Sequence, residues 1–156
     1  MKKLLTISLF CLFATVVVAQ GQTNTEKPCP AKIKQGIYGK VIWQEGNQMP
    51  GPGNNQKKMK PVKRELWVYF SIQRNDLVKQ GKLFQAPDVK PVAKVESDEN
   101  GCFQLKLPAG SYSIFTVEKN GLFANLFDGR GIVAPFEVTQ GKVTQVDIMI
   151  NYRSLY

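Results

Sequence analysis

Apolar and polar positions alternate with a period of two along most of the chain after residue 36, the pattern of strands with a buried face. In "GIYGKVIWQ" (36–44), Ile37, Val41 and Trp43 share one parity, with Gly39 between them. In "RELWVYFSI" (64–72), Leu66, Val68 and Phe70 oppose Trp67 and Tyr69, so both faces are apolar and the segment reads as a central strand. "PVAKVES" (91–97) is a short strand. Phe103, Leu105 and Leu107 point one way and Cys102, Gln104 and Lys106 the other, and Tyr112, Ile114 and Thr116 continue on the next strand. "IVAPFEV" (132–138) and "KVTQVDIMINY" (142–152) are the last strands, with Val146, Ile148 and Ile150 facing inward.

The punctuation between these runs is turn chemistry. Asp98-Glu99-Asn100-Gly101 reads as a hairpin turn, because Asp or Asn opens a type I turn and Asn-Gly supplies the positive φ that closes it. Pro108-Ala109-Gly110 is a second turn, and "TQGK" (139–142) reads as a hairpin. The Gly- and Asn-rich "EKNGLFANLFDGRG" (118–131) is expected to tuck Leu122, Phe123, Leu126 and Phe127 under one end of the domain. Two stretches break the alternation. One is an irregular connection at 75–90 with a helical turn near 76–79. The other is "EGNQMPGPGNNQKKMKPVK" (45–63), whose Pro/Gly centre argues for a mobile loop. About seven short strands without a long helix make an all-β, antiparallel β-sandwich.

The first residues stand apart. Lys2 and Lys3 precede an apolar run, 4–19, that ends in a Val-x-Ala site at Ala19. That is a secretory signal peptide cut after Ala19, and the run is short for a membrane span of ~20 residues. An uncleaved anchor is the alternative. Phe10 before Cys11 is unlike a lipidation site. The expected organisation is a signal peptide at 1–19, an extended arm at 20–35 and one β-sandwich domain at 36–156, in an exported protein of the periplasm or the extracellular space.

Losing Lys2 and Lys3 takes the formal charge from +9 to +7, and five of the positive charges fall within 57–64. Lys57, Lys58, Lys60, Lys63 and Arg64 are therefore the candidates for contact with an anionic partner, against the alternative of a solvated loop. Interleaved aromatics are missing from this run, which argues against nucleic acid. Trp43, Trp67 and Tyr69 are candidates for aromatic contact with sugar rings, as are Phe123, Phe127 and Tyr152. Core packing is the competing reading for the tryptophans.

Cys29 and Cys102 remain after signal removal, and in an oxidising compartment they form a candidate disulfide rather than a zinc site. The chain contains no His, which removes Ser-His-Asp and Cys-His catalysis and every His-ligated metal centre. Asp98, Glu99 and Asn100 could bind calcium, but one turn offers too few oxygens. A Lys–Asn isopeptide bond among Lys40, Asn151 and Glu118 needs a buried Lys, and the parity of Lys40 points it to solvent. No catalytic residue, metal or cofactor is expected.

"GKVIW" at 39–43, Pro61-Val62, the "SDENGCFQLKLPAGSYSI" of 97–114 and the closing "VTQVDIMI" of 143–150 together resemble the carboxypeptidase regulatory-like domain, also described as transthyretin-like or prealbumin-like. The specific part is the D-x-N-G-x-F-x-L-x-L-P-x-G-x-Y pattern from Asp98 to Tyr112. The resemblance implies a seven-stranded sandwich and an accessory role, because the module carries no catalytic residues beside metallocarboxypeptidase domains. It places the family's buried acid position at Thr116 in this chain. Two functions follow as expectations: a non-enzymatic exported module that binds a protein or glycan of the cell envelope, or a stand-alone regulator of a separate envelope hydrolase.

Overall fold

A computed structural model describes residues 28–49 and 58–155. The expected signal peptide, the first half of the N-terminal arm (20–27), the Pro/Gly centre of the expected 45–63 loop and Lys57 lie outside the described residues. The first strand, β1 (Gly36–Asn47), is the longest, followed by β2 (Lys58–Pro61) and β3 (Glu65–Phe70). The connection after β3 holds a three-residue 3-10 turn at Arg74–Asp76, slightly ahead of the expected helical turn, and the short strands β4 (Lys79–Gln80) and β5 (Leu83–Phe84). Then come β6 (Ala93–Glu96), β7 (Cys102–Leu105), β8 (Gly110–Glu118) and β9 (Gly121–Phe123). The chain ends in β10 (Pro135–Val138), β11 (Val143–Gln145) and β12 (Ile148–Leu155). The about seven expected strands thus appear as twelve segments, several of them laid end to end.

Two sheets form a β-sandwich. In the first, β1 is central. β11 and then β12 run beside it on one edge, and β7 and then β2 on the other. In the second, β8 is central, with β3 on one edge and β10 followed by β9 on the other, while β6 extends β3 and β5–β4 extend β9. The second sheet is antiparallel throughout. The first is mixed, because β1 pairs in parallel with β11 and β12, a departure from the expected wholly antiparallel sandwich. Where β11 gives way to β12, the ladder is held by a side chain: the Lys40 N–H donates to Asp147 Oδ1 (2.9 Å) and the Val146 N–H to the Tyr38 carbonyl (2.8 Å). Gly39 sits at this break because any Cβ there would collide with the Val146 carbonyl oxygen.

Several turns differ from expectation in what they join. The 97–101 turn is no hairpin within one sheet: β6 belongs to the β8 sheet and β7 to the β1 sheet, so the chain changes layer. The same holds at 108–110 and at 139–142. The turn chemistry itself is as the residues suggest. Asp98 Oδ1 accepts from the N–H groups of Asn100 (2.9 Å) and Cys102 (2.8 Å), and Gly101 takes a φ of 75°. The same arrangement recurs at 128–132, where Asp128 Oδ1 accepts from Arg130 and Ile132 and Gly131 has a φ of 83°. Those backbone donors hold the Asp128 carboxyl below its usual range, the Ile132 N–H foremost. At the 108–110 turn, the Tyr112 hydroxyl donates to the Pro108 carbonyl four residues upstream (3.0 Å).

The core lies between the sheets. Ile37, Val41, Trp43 and Ile150 from the β1 sheet meet Leu66, Val68, Ile114 and Phe123 from the β8 sheet, all buried. Burying one such side chain contributes about 1.5–3 kcal/mol. β8 is buried on both faces, as Tyr69 and Phe84 pack edge-on against Phe115 on the side away from the β1 sheet. Phe70, Leu126 and Phe127 depart from the expected inward packing and are exposed, at 67%, 61% and 46%. Phe70 is the end of a stacked row in which it lies against Tyr112, and Tyr112 against Phe136. Leu126 and Phe127 follow β9 into the turn at 128–132 and leave the sheet.

Cys29 and Cys102 are joined by a disulfide across 73 residues of sequence. Cys102 points away from the Phe103 face and the arm lies along β7, where the Lys32 N–H donates to Gln104 Oε1 (2.9 Å) and Gln35 Nε2 to the Leu107 carbonyl (3.0 Å).

Two predictions follow. Gly101 and Gly141 both have positive φ, but a Cβ at Gly101 would strike the Val41 carbonyl oxygen, whereas nothing lies within 4 Å at Gly141. Gly101→Ala should therefore lose about 2 kcal/mol more than Gly141→Ala, measured by urea unfolding; equal losses would show that the close approach is not what requires glycine. Reduction of the disulfide, or Cys29→Ser, should lower stability by at most about 4 kcal/mol, the chain-entropy bound for a loop of this length. Thiol labelling of both cysteines in protein purified under oxidising conditions without reductant would contradict the bridge.

Candidate functional site

The sequence candidates do not form one patch. β2 and the turn after it send neighbouring side chains in different directions. Lys63 pairs with Glu96 (3.2 Å) and Glu99 (3.8 Å), which raise its pKa. Arg64, partly exposed, turns to Glu118, and Lys60 is exposed at the rim of a cleft. Lys58 lies on β2 by its backbone. The 45–63 stretch is shorter as a loop than expected, because β1 continues to Asn47 and pairs with β2 through Trp43↔Lys60 and Glu45↔Lys58.

The aromatic expectation also needs correction. Trp43 and Tyr69 are buried, at 6% and 1% exposure, so neither offers a free face. Trp67 is half-buried and its ring is capped by Lys94 Nζ, 3.8 Å from the centroid, while its Nε1 donates to Glu65. The reason is the antiparallel register, which sets Trp67 opposite Lys94 on β6. Tyr69 OH and Thr116 Oγ1 are buried without a protein hydrogen-bond partner. Lys40 keeps a partly exposed place outside the buried core, whereas an isopeptide bond requires a buried Lys, and Asn151 accepts from Asn125 Nδ2 on its Oδ1 (3.0 Å).

What the fold assembles instead is a cleft of about 570 Å³ at the end of the sandwich where β1, β2 and β12 meet the end of β8. Trp43 lies at its base. Arg64 and Arg153 lie over the indole, at 5.7 and 5.6 Å from its centroid, and the Tyr152 ring meets it edge-on at 5.3 Å. The Trp43 Nε1–H donates to Glu45 Oε2 (2.9 Å). Glu118, whose side chain is 4% exposed, accepts from Arg64 Nε (3.2 Å) and from the Tyr152 hydroxyl (3.0 Å). A carboxylate this buried is stable only when paired, and both of its oxygens are engaged. The Tyr152 phenol is pushed above its ordinary value, by burial first and by its hydrogen bond to Glu118 second. Tyr69 is raised by burial.

Lys60, Lys119 and Arg153 complete the lining, and among the described residues none of them is ion-paired to a carboxylate. A second cleft of about 380 Å³ adjoins the first across Tyr152 and is lined by Arg74, Lys79, Lys82, Phe123 and Phe127. The guanidinium of Arg74 lies 5.5 Å from the Phe127 centroid, and Lys82 Nζ donates to the Tyr152 carbonyl (2.8 Å). The sequence run at 57–64 pointed to this end of the molecule through Lys60 and Arg64. It could not reveal Lys119, Arg153 or the Arg74–Lys82 set, which are isolated along the chain. Among the described residues no group of three His, Cys, Asp or Glu side chains is placed to hold a metal ion, and Asp98 spends Oδ1 on backbone donors.

No family model matches the chain, and comparison with the curated proteins and the solved structures gives no match either.

The buried pair yields a prediction. Glu118→Gln should cost roughly 2 kcal/mol, less than the 3–5 of a fully buried pair because Arg64 is a third exposed. Tyr69 and Tyr152 have folded pKa values above the unfolded ones. Their contribution is fully present below the unfolded value of 10.0 and is lost as pH rises through the folded values. Melting temperature should thus fall above about pH 10, and Tyr152→Phe should lessen that fall. An unchanged alkaline slope in Tyr152→Phe would remove Tyr152 from the account.

Proposed function

We propose that this protein is a non-enzymatic exported module that binds a partner at the cell envelope through the cleft around Trp43 and Tyr152. The observation that carries this reading is the state of the cleft's carboxylates. Glu118 is engaged by Arg64 and Tyr152, and Glu45 is held by the Trp43 indole, while Lys60, Lys119 and Arg153 are left to face outward. Acid–base chemistry requires a carboxylate or imidazole within reach of a substrate proton. Binding an anion requires only cations held around a concave surface, and that is what the side chains supply.

The resemblance to the carboxypeptidase regulatory-like domain agrees with this reading. It also supplies the second one, a stand-alone regulator of a separate envelope hydrolase, with the transthyretin-like arrangement as the finer description of the sandwich. The regulatory reading and the finer fold description rest on the pattern from Asp98 to Tyr112. The apolar run at 4–19 supports export.

The test is retention of envelope extract on immobilised protein, before and after protease treatment of the extract, beside an Arg153→Glu/Lys119→Glu variant. Specific retention that the variant loses supports the cleft as the binding site. Equal retention by both, or none by either, overturns it. Retention that survives protease points to a glycan, and retention of a peptidase or polysaccharide hydrolase favours the regulatory reading.

A further inference from the structure

We propose that the two adjoining clefts form one groove for an acidic polysaccharide, whose carboxylates are held by Lys60, Lys119 and Arg153 on one side of Tyr152 and by Arg74, Lys79 and Lys82 on the other. The inference rests on the binding reading above and names its ligand.

Three features of the groove select this chemistry. The first is the distribution of charge. Each cleft presents three cations, the second is lined by no carboxylate, and of the two acids of the first Glu118 is paired with Arg64 and Tyr152 while Glu45 gives one oxygen to the Trp43 indole. A small anion is held by donors that converge on one point. Here the cations stand around two volumes of about 570 and 380 Å³ that share Tyr152 as a wall, which suits charges repeated along a chain. The second is the ring surface between the cations. Phe127 is 46% exposed with Arg74 stacked on it, and Tyr152 is half-buried between the clefts, so apolar faces are available to the C–H faces of sugar rings. The third is shape. A bilayer is flat and cannot enter a concavity, and an acidic peptide is the competing occupant, for which poly-glutamate stands in the test below.

The groove explains why the residues lie so far apart in sequence, from Lys60 to Arg153. The β1–β2 pair, the β8–β9 turn and the end of β12 each bring one cation to the same end, and the β3–β6 connection brings three. Attraction at this range is screened over about 8 Å at physiological salt, so affinity must fall as salt rises.

The experiment is isothermal titration of the full chain with polygalacturonate at low and physiological salt, beside dextran, poly-glutamate, phosphatidylglycerol vesicles and inorganic phosphate. Expected are binding to polygalacturonate that weakens with salt and no binding to dextran. Lys119→Gln/Arg153→Gln and Lys79→Gln/Lys82→Gln should each weaken binding about two- to thirtyfold, since each lost charge contact is worth about 0.2–1 kcal/mol. Combining them should weaken it further, and Lys63→Gln, whose partners are Glu96 and Glu99, should leave it unchanged. Unaltered melting of each variant shows that the fold is kept. Tighter binding to poly-glutamate, vesicles or phosphate overturns the ligand class. Loss through one pair alone overturns the single groove. Envelope retention that persists without polygalacturonate binding overturns this inference and leaves the binding reading standing, whereas loss of both removes the two together.

Discussion

Strand β1 is hydrogen-bonded along both edges, and the segments that pair with it come from positions as distant as 58 and 155. Its backbone cannot shift without breaking ladders to β2, β7, β11 and β12 at once. Two further contacts fix its height in the sandwich. The Val41 N–H donates to the Gly101 carbonyl (2.8 Å) and the Val62 N–H donates to the Val41 carbonyl (3.1 Å), so the 97–101 turn and the entry to β3 both close onto one residue of β1. Ile37 and Val41, both fully buried, then hold the inner face against β3 and β8.

The cleft depends on that arrangement. Trp43 lies two residues beyond Val41, just before the register shift that separates the Trp43↔Ile150 and Glu45↔Arg153 pairs of β1 and β12. The irregularity lets Tyr152 and Arg153, adjacent in sequence, both reach the indole. Bulges commonly re-aim side chains in this way beside functional surfaces. From the opposite sheet, β8 ends with Glu118 and the chain entering β3 supplies Arg64, so the buried ion pair spans the second sheet and Tyr152 ties it to the first. Ion pairs of this kind add little net stability against apolar packing, but losing one partner leaves a buried charge. The pair thereby fixes the mutual position of the two layers where the cleft opens.

Local signals were legible wherever the chemistry was local. The Asp98 turn, the positive φ at Gly101 and the inward parity of Ile37, Val41 and Trp43 all depend on residues within a few positions of one another. The repeat of the same turn at 128–132 was equally readable in "DGRG" but was absorbed into an expected buried loop, which is why Leu126 and Phe127 were placed inside. Trp67 and Tyr69 share a parity, yet one is half-buried under Lys94 and the other is sealed against Phe115. Alternation reports which side chains share a face, and says nothing of what covers each position along it.

By itself the sequence determined the class of fold, because period-two alternation punctuated by turn residues can bury its apolar face only by stacking sheets. It also determined the absence of imidazole chemistry, since no His is present, and the basic balance of the chain. Tertiary structure alone decided which turns change sheet, that β11 and β12 run parallel to β1, and which cations stay outward. A turn of given residues closes the same way whether its strands then pair with each other or part into two layers, so local chemistry cannot choose between them. Likewise Lys63 and Lys60 are equivalent in composition, and only the placement of Glu96 and Glu99 beside one of them, through the β3–β6 pairing, neutralises it and leaves the other at the cleft.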